Sequence, residues 1–355
     1  MSARLTPAAA AAHLRFIALR LTWRGGDVLR GALMPTLGEV GEAAALRRIF
    51  PRLPDAAAAL LGPGDDAAVL AAPDGRFVVT TDTMVHGPDF RLAWSTPHDL
   101  GWKAAATNLS DVAAMGARPT GLVVALAAPA DTPVELLEGI ADGLRDACAE
   151  LAPGCGVVGG DLAVSATLVI AVTAFGDLEG RDAVLRSGAR PGDVVAVSGA
   201  LGVAAAGLAL LFERGVDRDG VPDARRAEAL RGECPDEIAA QLTPRPPLSD
   251  GVAAAVSGAT AMLDLSDGLA LDARRLAEAS GVAVDLSSAA VGSPQALTGG
   301  EDHALLATFP AGVALPGGFH PIGVVREGAG LLVDGRAFDA RGGWDPYDDW
   351  NGAAG

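Results

Sequence analysis

Three observations predict a mixed α/β (α+β) fold in two domains. The chain has 355 residues, too many for one ordinary core. Half of its residues are hydrophobic and 20% are charged, so it can bury a sizeable interior. Along it, β-rich runs alternate with segments of helical apolar periodicity, and one cluster of turn formers, "RSGARPGD" (186–193), interrupts the pattern. The expected division is 34–180 and 181–347, with a tail at 348–355.

Residues 1–33 stand apart. They hold Arg4, Arg15, Arg20, Arg24 and Arg30 but one acid, Asp27. Arg15 and Arg20 interrupt the apolar core that a secretory signal needs. The expectation is a non-structural extension, with Met34 the working start.

From Gly38 the elements follow in order. "EAAALRRIF" (42–50) reads as a short amphipathic helix. "AAVLAAP" (67–73) and "RFVVTTDTMV" (76–85) read as two strands around the turn Pro73-Asp74-Gly75. Thr96 can cap a helix, Pro97 suits its first position, and Asp99 completes a T-x-x-D box. That helix carries Lys103, Asn108 and Asp111 and ends at Gly116. A strand (120–129), a helix (134–151) and two strands (156–162, 167–178) complete the first domain. "VVAVSG" (194–199) opens the second. The polar stretch 213–247, with its "TPRPPL", is expected to wrap the surface. Residues 261–281 read as strand, turn and helix, with Leu269, Ala273, Leu276 and Ala277 on the apolar face and Gly281 at the end.

Composition excludes several functions. A net charge of −17 repels nucleic acid and anionic membranes. Cys148, Cys155 and Cys234 have no CxxC spacing, which argues against a disulfide framework or zinc site and fits a reducing cytoplasm. The uncharged run 162–176 is too short to span a membrane. Lys103 is the single lysine among 27 lysines and arginines, and Asn108 is one of two asparagines. In a chain that exchanges lysine for arginine wherever either serves, a retained lysine has a task.

Six strings set acids in apolar company: "GPGDDAAVL", "VVTTDTMV", "NLSDVAAMG", "VVGGDLAV", "MLDLSDGL" and "LTGGEDHALL". Each has a bland reading. Asp65-Asp66 can be a turn, Asp111 a partner of Lys103, Ser266 an N-cap, and Glu301-Asp302 a cap of the following segment. Six such coincidences in one chain point elsewhere. Carboxylates without basic neighbours need another cation, and magnesium takes a few carboxylates together with phosphate oxygens. Glycine-rich settings let backbone approach phosphates, and the helix after Asp267 offers an anion-favouring N-terminus. The Gly154-Cys-Gly-Val-Val-Gly159 match follows a helix and precedes a strand, the reverse of a dinucleotide fingerprint. No P-loop occurs, and the five histidines suggest no triad, although His86 and His303 lie close to the site strings.

These strings, in this order from Gly38 to Tyr347, resemble the thiamine-monophosphate kinase family. Its relatives are aminoimidazole-ribonucleotide synthetase, selenophosphate synthetase and a hydrogenase maturation factor. "LSDVAAMGA", "LRSGARPGD" and "LTGGED" point to the thiamine branch. The resemblance implies two α/β domains, the first pairing across a homodimer with ATP near that interface. It implies transfer from ATP to thiamine monophosphate with several magnesium ions and no general base, since the acceptor is an ionised phosphate.

By motif position it implies magnesium ligands at Asp66, Thr81, Asp82, Asp111, Asp161 and Asp264. Thr80 would join through its backbone, and Asp267 would hold a further ion. Gly160, Asp161, Arg186 and Ser266 would contact ATP. Glu301 or Asp302 would face the cationic thiazolium, and Trp344 or Tyr347 would pack on the substrate. Asp89 stands in a substrate-side string where the family often has histidine, and "WDPYDDW" departs from the family's "DHF". Chemistry alone gives Lys103 and Asn108 the task of orienting the site or balancing its charge. Two alternatives remain: a synthetase of the same superfamily, and an acidic metal-binding scaffold without catalysis. Selenophosphate synthetase would want an early cysteine, and none precedes Cys148.

Overall fold

The computed structural model describes residues 35–61 and 68–343. The extension 1–33, the tail 348–355, Asp65, Asp66, Trp344 and Tyr347 lie outside the described residues.

Thr96 begins the helix that organises the first half. Its hydroxyl accepts the Asp99 amide at 3.1 Å, and the Asp99 carboxylate accepts the Thr96 amide at 2.8 Å, as the T-x-x-D box predicts. Before it come two helices, Leu37–Val40 (α1) and Glu42–Ile49 (α2), and three strands, Ala59–Leu61 (β1), Val69–Leu70 (β2) and Val78–Val85 (β3). The capped helix, Pro97–Ala114 (α3), is followed by Arg118–Ala128 (β4), Val134–Leu151 (α4), Val157–Val164 (β5) and Val169–Asp177 (β6).

The order β3-β6-β4-β5 makes a four-stranded sheet. The turn at Pro73-Asp74-Gly75 lies between two strands as the sequence reading has it, but the two do not pair with each other. β2 pairs with β1, while β3 pairs along all eight residues with β6. A two-residue strand could not have offered β3 that ladder.

Every residue of α3 from Asp99 to Ala114 is buried except Asp111. The helix packs against β3, β6, β4 and α4. Its crossing with α4 is backbone on backbone: a Cβ at Gly101 would stand 1.9 Å from the Ile140 carbonyl, and one at Gly143 2.0 Å from that of His98. Leu109, Leu122, Ile140, Leu144 and Ile170 fill the core around it.

The second half contains Val194–Ser198 (β7), Val203–Arg214 (α5), Ala224–Glu233 (α6), Pro235–Leu242 (α7), Leu248–Val256 (α8), Ala261–Leu265 (β8) and Leu269–Ser280 (α9). Ala283–Leu286 (β9), two short helices (Ser288–Val291, α10; Pro294–Thr298, α11), Ala304–Phe309 (β10), His320–Arg326 (β11), Gly330–Val333 (β12) and Arg336–Ala337 (β13) complete it. Seven strands pair in the order β13-β12-β9-β11-β7-β10-β8. Leu263, Leu276, Val284, Leu306 and Ile322 form a core separate from the first. β8, α9 and the left-handed Gly281 stand where the sequence puts them.

The stretch 213–247 is not a surface wrap. It forms α6 and α7, and Ala227, Leu230, Ile238 and Leu242 pack with Trp94 and Leu211. Its apolar residues keep helical spacing, but Arg and Glu between them dilute the signal. Pro235 starts α7 rather than ending structure. No helix of the described residues is long and apolar enough to cross a membrane.

Candidate active site

α3 brings Lys103, Asn108 and Asp111 to the line where β3, β8 and the loop 299–303 converge. The Asn108 oxygen accepts the Asp82 amide at 3.0 Å, and its nitrogen donates to the Ala104 carbonyl at 2.9 Å. Thr80 donates its hydroxyl to Asp111 at 2.8 Å. Ser110 donates to Asp264 at 3.2 Å, and the His303 Nδ1 lies 3.5 Å from the same oxygen. The three acids grade from solvent inward: Asp82 is exposed, Asp111 half-buried and Asp264 buried.

Crowding shows in their acidity. The Asp111 carboxyl is pushed up to about 7, first by burial, then by the charges of Asp264 and Asp82. Asp82 is raised too, by partial loss of solvent and by Asp264, although it keeps an open surface. Burial opposes the charge of Asp264, but His303 and hydrogen bonds from Asp111 and Ser110 hold it below the carboxylate range.

Among the described residues no group of three or more acids, histidines or cysteines could by itself hold a metal ion. Magnesium rarely asks for one: it uses one or two carboxylates, waters and substrate phosphates. Oxygen donors crowded enough to hold a proton near pH 7 fit a divalent cation, which would relieve the repulsion.

The other expected residues are dispersed. Lys103 pairs with Glu301, not with Asp111. Asp302 accepts the amides of Gly202 at 2.5 Å and Ala204 at 2.9 Å, so it caps α5. Asp267 is paired with Arg275 at 2.6 Å. Ser266 is not an N-cap: Gly268 takes that position, and Asp272 receives the amides of Asp267 and Gly268. The Ser266 carbonyl instead accepts the Glu301 amide at 2.7 Å. Arg186 is exposed, its carbonyl accepting from Ser280. Asp89 accepts the Val85 amide at 2.7 Å. Thr81 donates to the Val172 carbonyl at 2.9 Å.

Gly160 and Asp161 lie on β5, the opposite edge of the sheet from β3. One row of the register runs Asp82, Val172, Val124, Gly160; the next runs Thr83, Ala171, Ala125, Asp161. Adjacent rows face opposite sides of a sheet. Asp161 thus points away from Asp82 and lies three strand spacings off, about 14 Å. Beside β5 opens a narrow apolar cleft of about 40 Å³, lined by Phe50, Val124, Leu144, Val157, Gly160 and Asp161 among others.

Sequence reasoning did not assign His303 or Gln241. His303 could have been suspected from its place beside Glu301-Asp302. Nothing in the sequence singles out Gln241.

The fold belongs to a known class. The family model for AIR synthase related protein, N-terminal domain, matches residues 64–178. The thiamine-monophosphate kinase of Mycobacterium tuberculosis (strain CDC 1551 / Oshkosh) is 45% identical over 333 residues, 89% of this chain and 94% of that one. A crystal structure of thiamine-monophosphate kinase from Stenotrophomonas maltophilia K279a superposes with a TM-score of 0.68 at 31% identity, covering 83% of this chain and 95% of that one. The structure of AaThiL complexed with AMPPCP and TMP gives 0.66 at 31% identity, covering 88% and 99%. The chain belongs to the thiamine-monophosphate kinase family and is a kinase.

Proposed function

We propose that this kinase transfers the γ-phosphoryl group of ATP directly to thiamine monophosphate, giving thiamine diphosphate and ADP. The observation that carries the reading is the crowded carboxylate cluster of Asp82, Asp111 and Asp264, whose neighbouring imidazole, His303, is engaged with Asp264. Two phosphates must meet there, and phosphoryl transfer asks for positioning and charge neutralisation above all. Magnesium held by these acids, with Thr80, Thr81, Asp161 and Asp267 in the wider set, supplies that neutralisation.

The chain's own residues do the rest. Asn108 fixes the backbone of Asp82, Thr80 orients Asp111, and Ser110 with His303 orients Asp264. By motif position Gly160, Asp161, Arg186 and Ser266 are the ATP contacts, and the narrow apolar cleft lies beside the first two. Both oxygens of Asp302 are turned to the start of α5, whereas Glu301 keeps 40% of its side chain exposed, so Glu301, together with Asp89, is the acid for the thiazolium.

The register also supports a homodimer. One chain cannot turn Asp161 toward its own Asp82, so the acid at each site comes from the other copy. Residues 34–180 would form the ATP- and magnesium-binding domain, and 181–347 the C-terminal one. The three free thiols fit the cytoplasm, and the charge of −17 disfavours nucleic acid and anionic membranes as partners.

An ADP-release assay with thiamine monophosphate, thiamine and aminoimidazole precursors side by side tests the substrate. Turnover is expected with the monophosphate alone. Equal rates on thiamine, or turnover with an aminoimidazole precursor, would overturn the assignment. A scaffold would show no magnesium–ATP binding by calorimetry.

A further inference from the structure

Lys103 lies at the centre of a closed ring of polar contacts. Its ammonium pairs with the Glu301 carboxylate. The main-chain carbonyl of Gln241 accepts a second N–H at 3.2 Å. The Gln241 side-chain amide satisfies both its ends in one orientation: its oxygen accepts from Lys103 at 3.2 Å, and its nitrogen donates to the Ala204 carbonyl at 3.0 Å. The Ala204 amide donates to Asp302 at 2.9 Å, and Asp302 follows Glu301 in the chain. The ring therefore joins α3, α7, the start of α5 and the loop 299–303.

That loop needs holding. Glu301 and His303 have φ of 71° and 51°, the left-handed region that residues with side chains adopt only when surroundings impose it. Lys103 keeps 7% of its side chain exposed, whereas Glu301 keeps 40%. The cation is inside and the carboxylate reaches outward. Burial opposes the charge on Glu301, but Lys103 and then His303 hold its carboxyl below the usual range.

An ammonium has three N–H donors, and the ring offers three acceptors. No donor remains for a ligand phosphate. Arginine would bring five donors in a rigid plane and leave two without partners in a buried site. This accounts for the one lysine that the composition kept.

We propose that Lys103 is a positioning residue that clamps the Glu301 carboxylate in place to recognise the cationic ring of the acceptor substrate. The proposal rests on the reading of Glu301 as a substrate residue.

The test uses the full chain with magnesium and a non-hydrolysable ATP analogue, titrated calorimetrically with thiamine monophosphate and, separately, thiamine. Steady-state kinetics and melting temperatures accompany it. Lys103→Met should weaken both ligands about tenfold or more, the scale of a lost charge-assisted contact, while kcat and the KM for ATP stay within about threefold. Lys103→Arg should not rescue. Glu301→Gln should weaken both ligands similarly. The double variant should be no weaker than either single one and should regain melting temperature lost by Lys103→Met, since no charge is left unpaired.

Four results would overturn the clamp. One is a lowered melting temperature with unchanged affinities, which makes the pair merely structural. Another is a loss confined to the monophosphate, which puts the ammonium on its phosphate. A third is full rescue by arginine. The last is wild-type binding by Glu301→Gln, which removes the substrate-site reading itself and the clamp with it.

Discussion

Asp111 holds its proton to about pH 7 in the folded chain, against an ordinary value of 3.8. Without metal, the folded state thus binds more protons than the unfolded one between those values. The contribution of Asp111 to the stability of the EDTA-treated protein should be fully present near pH 4 and be lost as pH rises through about 7, by up to about 4 kcal/mol before the opposite shift of Asp264 is counted. Asp111→Asn removes the ionisation at nearly constant shape. At pH 8 its metal-free form should melt at or above metal-free wild type. Magnesium with ATP should raise the wild-type melting temperature and the variant's little, because only ligands that bind the folded state add stability. Its turnover should nearly vanish. A metal-free variant melting well below wild type would make Asp111 a structural acid. The acids of this cluster were legible as polar residues in apolar strings. Their grading from exposed Asp82 to buried Asp264 was not, because burial depends on three elements distant in sequence. Likewise, the rarity of Lys103 announced a task, but its partners Gln241 and Glu301 lie 138 and 198 positions away along the chain by subtraction of their numbers.

Between elements, the tightest contact is the α3–α4 crossing, where the site helix meets its support. Gly143 is mid-helix, and alanine there would add about 1 kcal/mol of helix propensity. Its Cβ would also stand 2.0 Å from the His98 carbonyl, which belongs to a backbone held by the Thr96 cap. Overpacking against main chain should win, so Gly143→Ala should destabilise by about 2–3 kcal/mol or more in denaturant titration. Equal or greater stability would mean that the helices can part without cost. Elements with local signatures were readable: the cap at Thr96, the eighteen periodic residues of α4, and the strand–turn–helix at 261–281. Those defined by a distant partner were not. β1 is three residues long and exists only because β2 pairs with it. In α6 and α7 the apolar positions are few, and the partners that bury them, Trp94 and Leu211, lie outside the segment.

At the scale of the whole molecule, one sheet carries its candidate site residues on two faces. Asp82 shares its face with α3, whereas Val79, Thr81, Thr83, Ala125 and Asp161 lie exposed on the other. If a homodimer brings Asp161 of one copy to Asp82 of the next, each site is composite, and complementation will show it. Asp82→Asn and Asp161→Asn should each be nearly inactive alone. In a mixed dimer, one site collects both substitutions and the other collects both native acids. Random pairing makes half the dimers mixed, each with one intact site, so co-expressed variants should recover about a quarter of wild-type turnover. If a single chain supplied both acids, every site in every combination would carry one substitution. Activity of the mixture would then stay at the level of the inactive parents, and the sheet's open face would need another explanation.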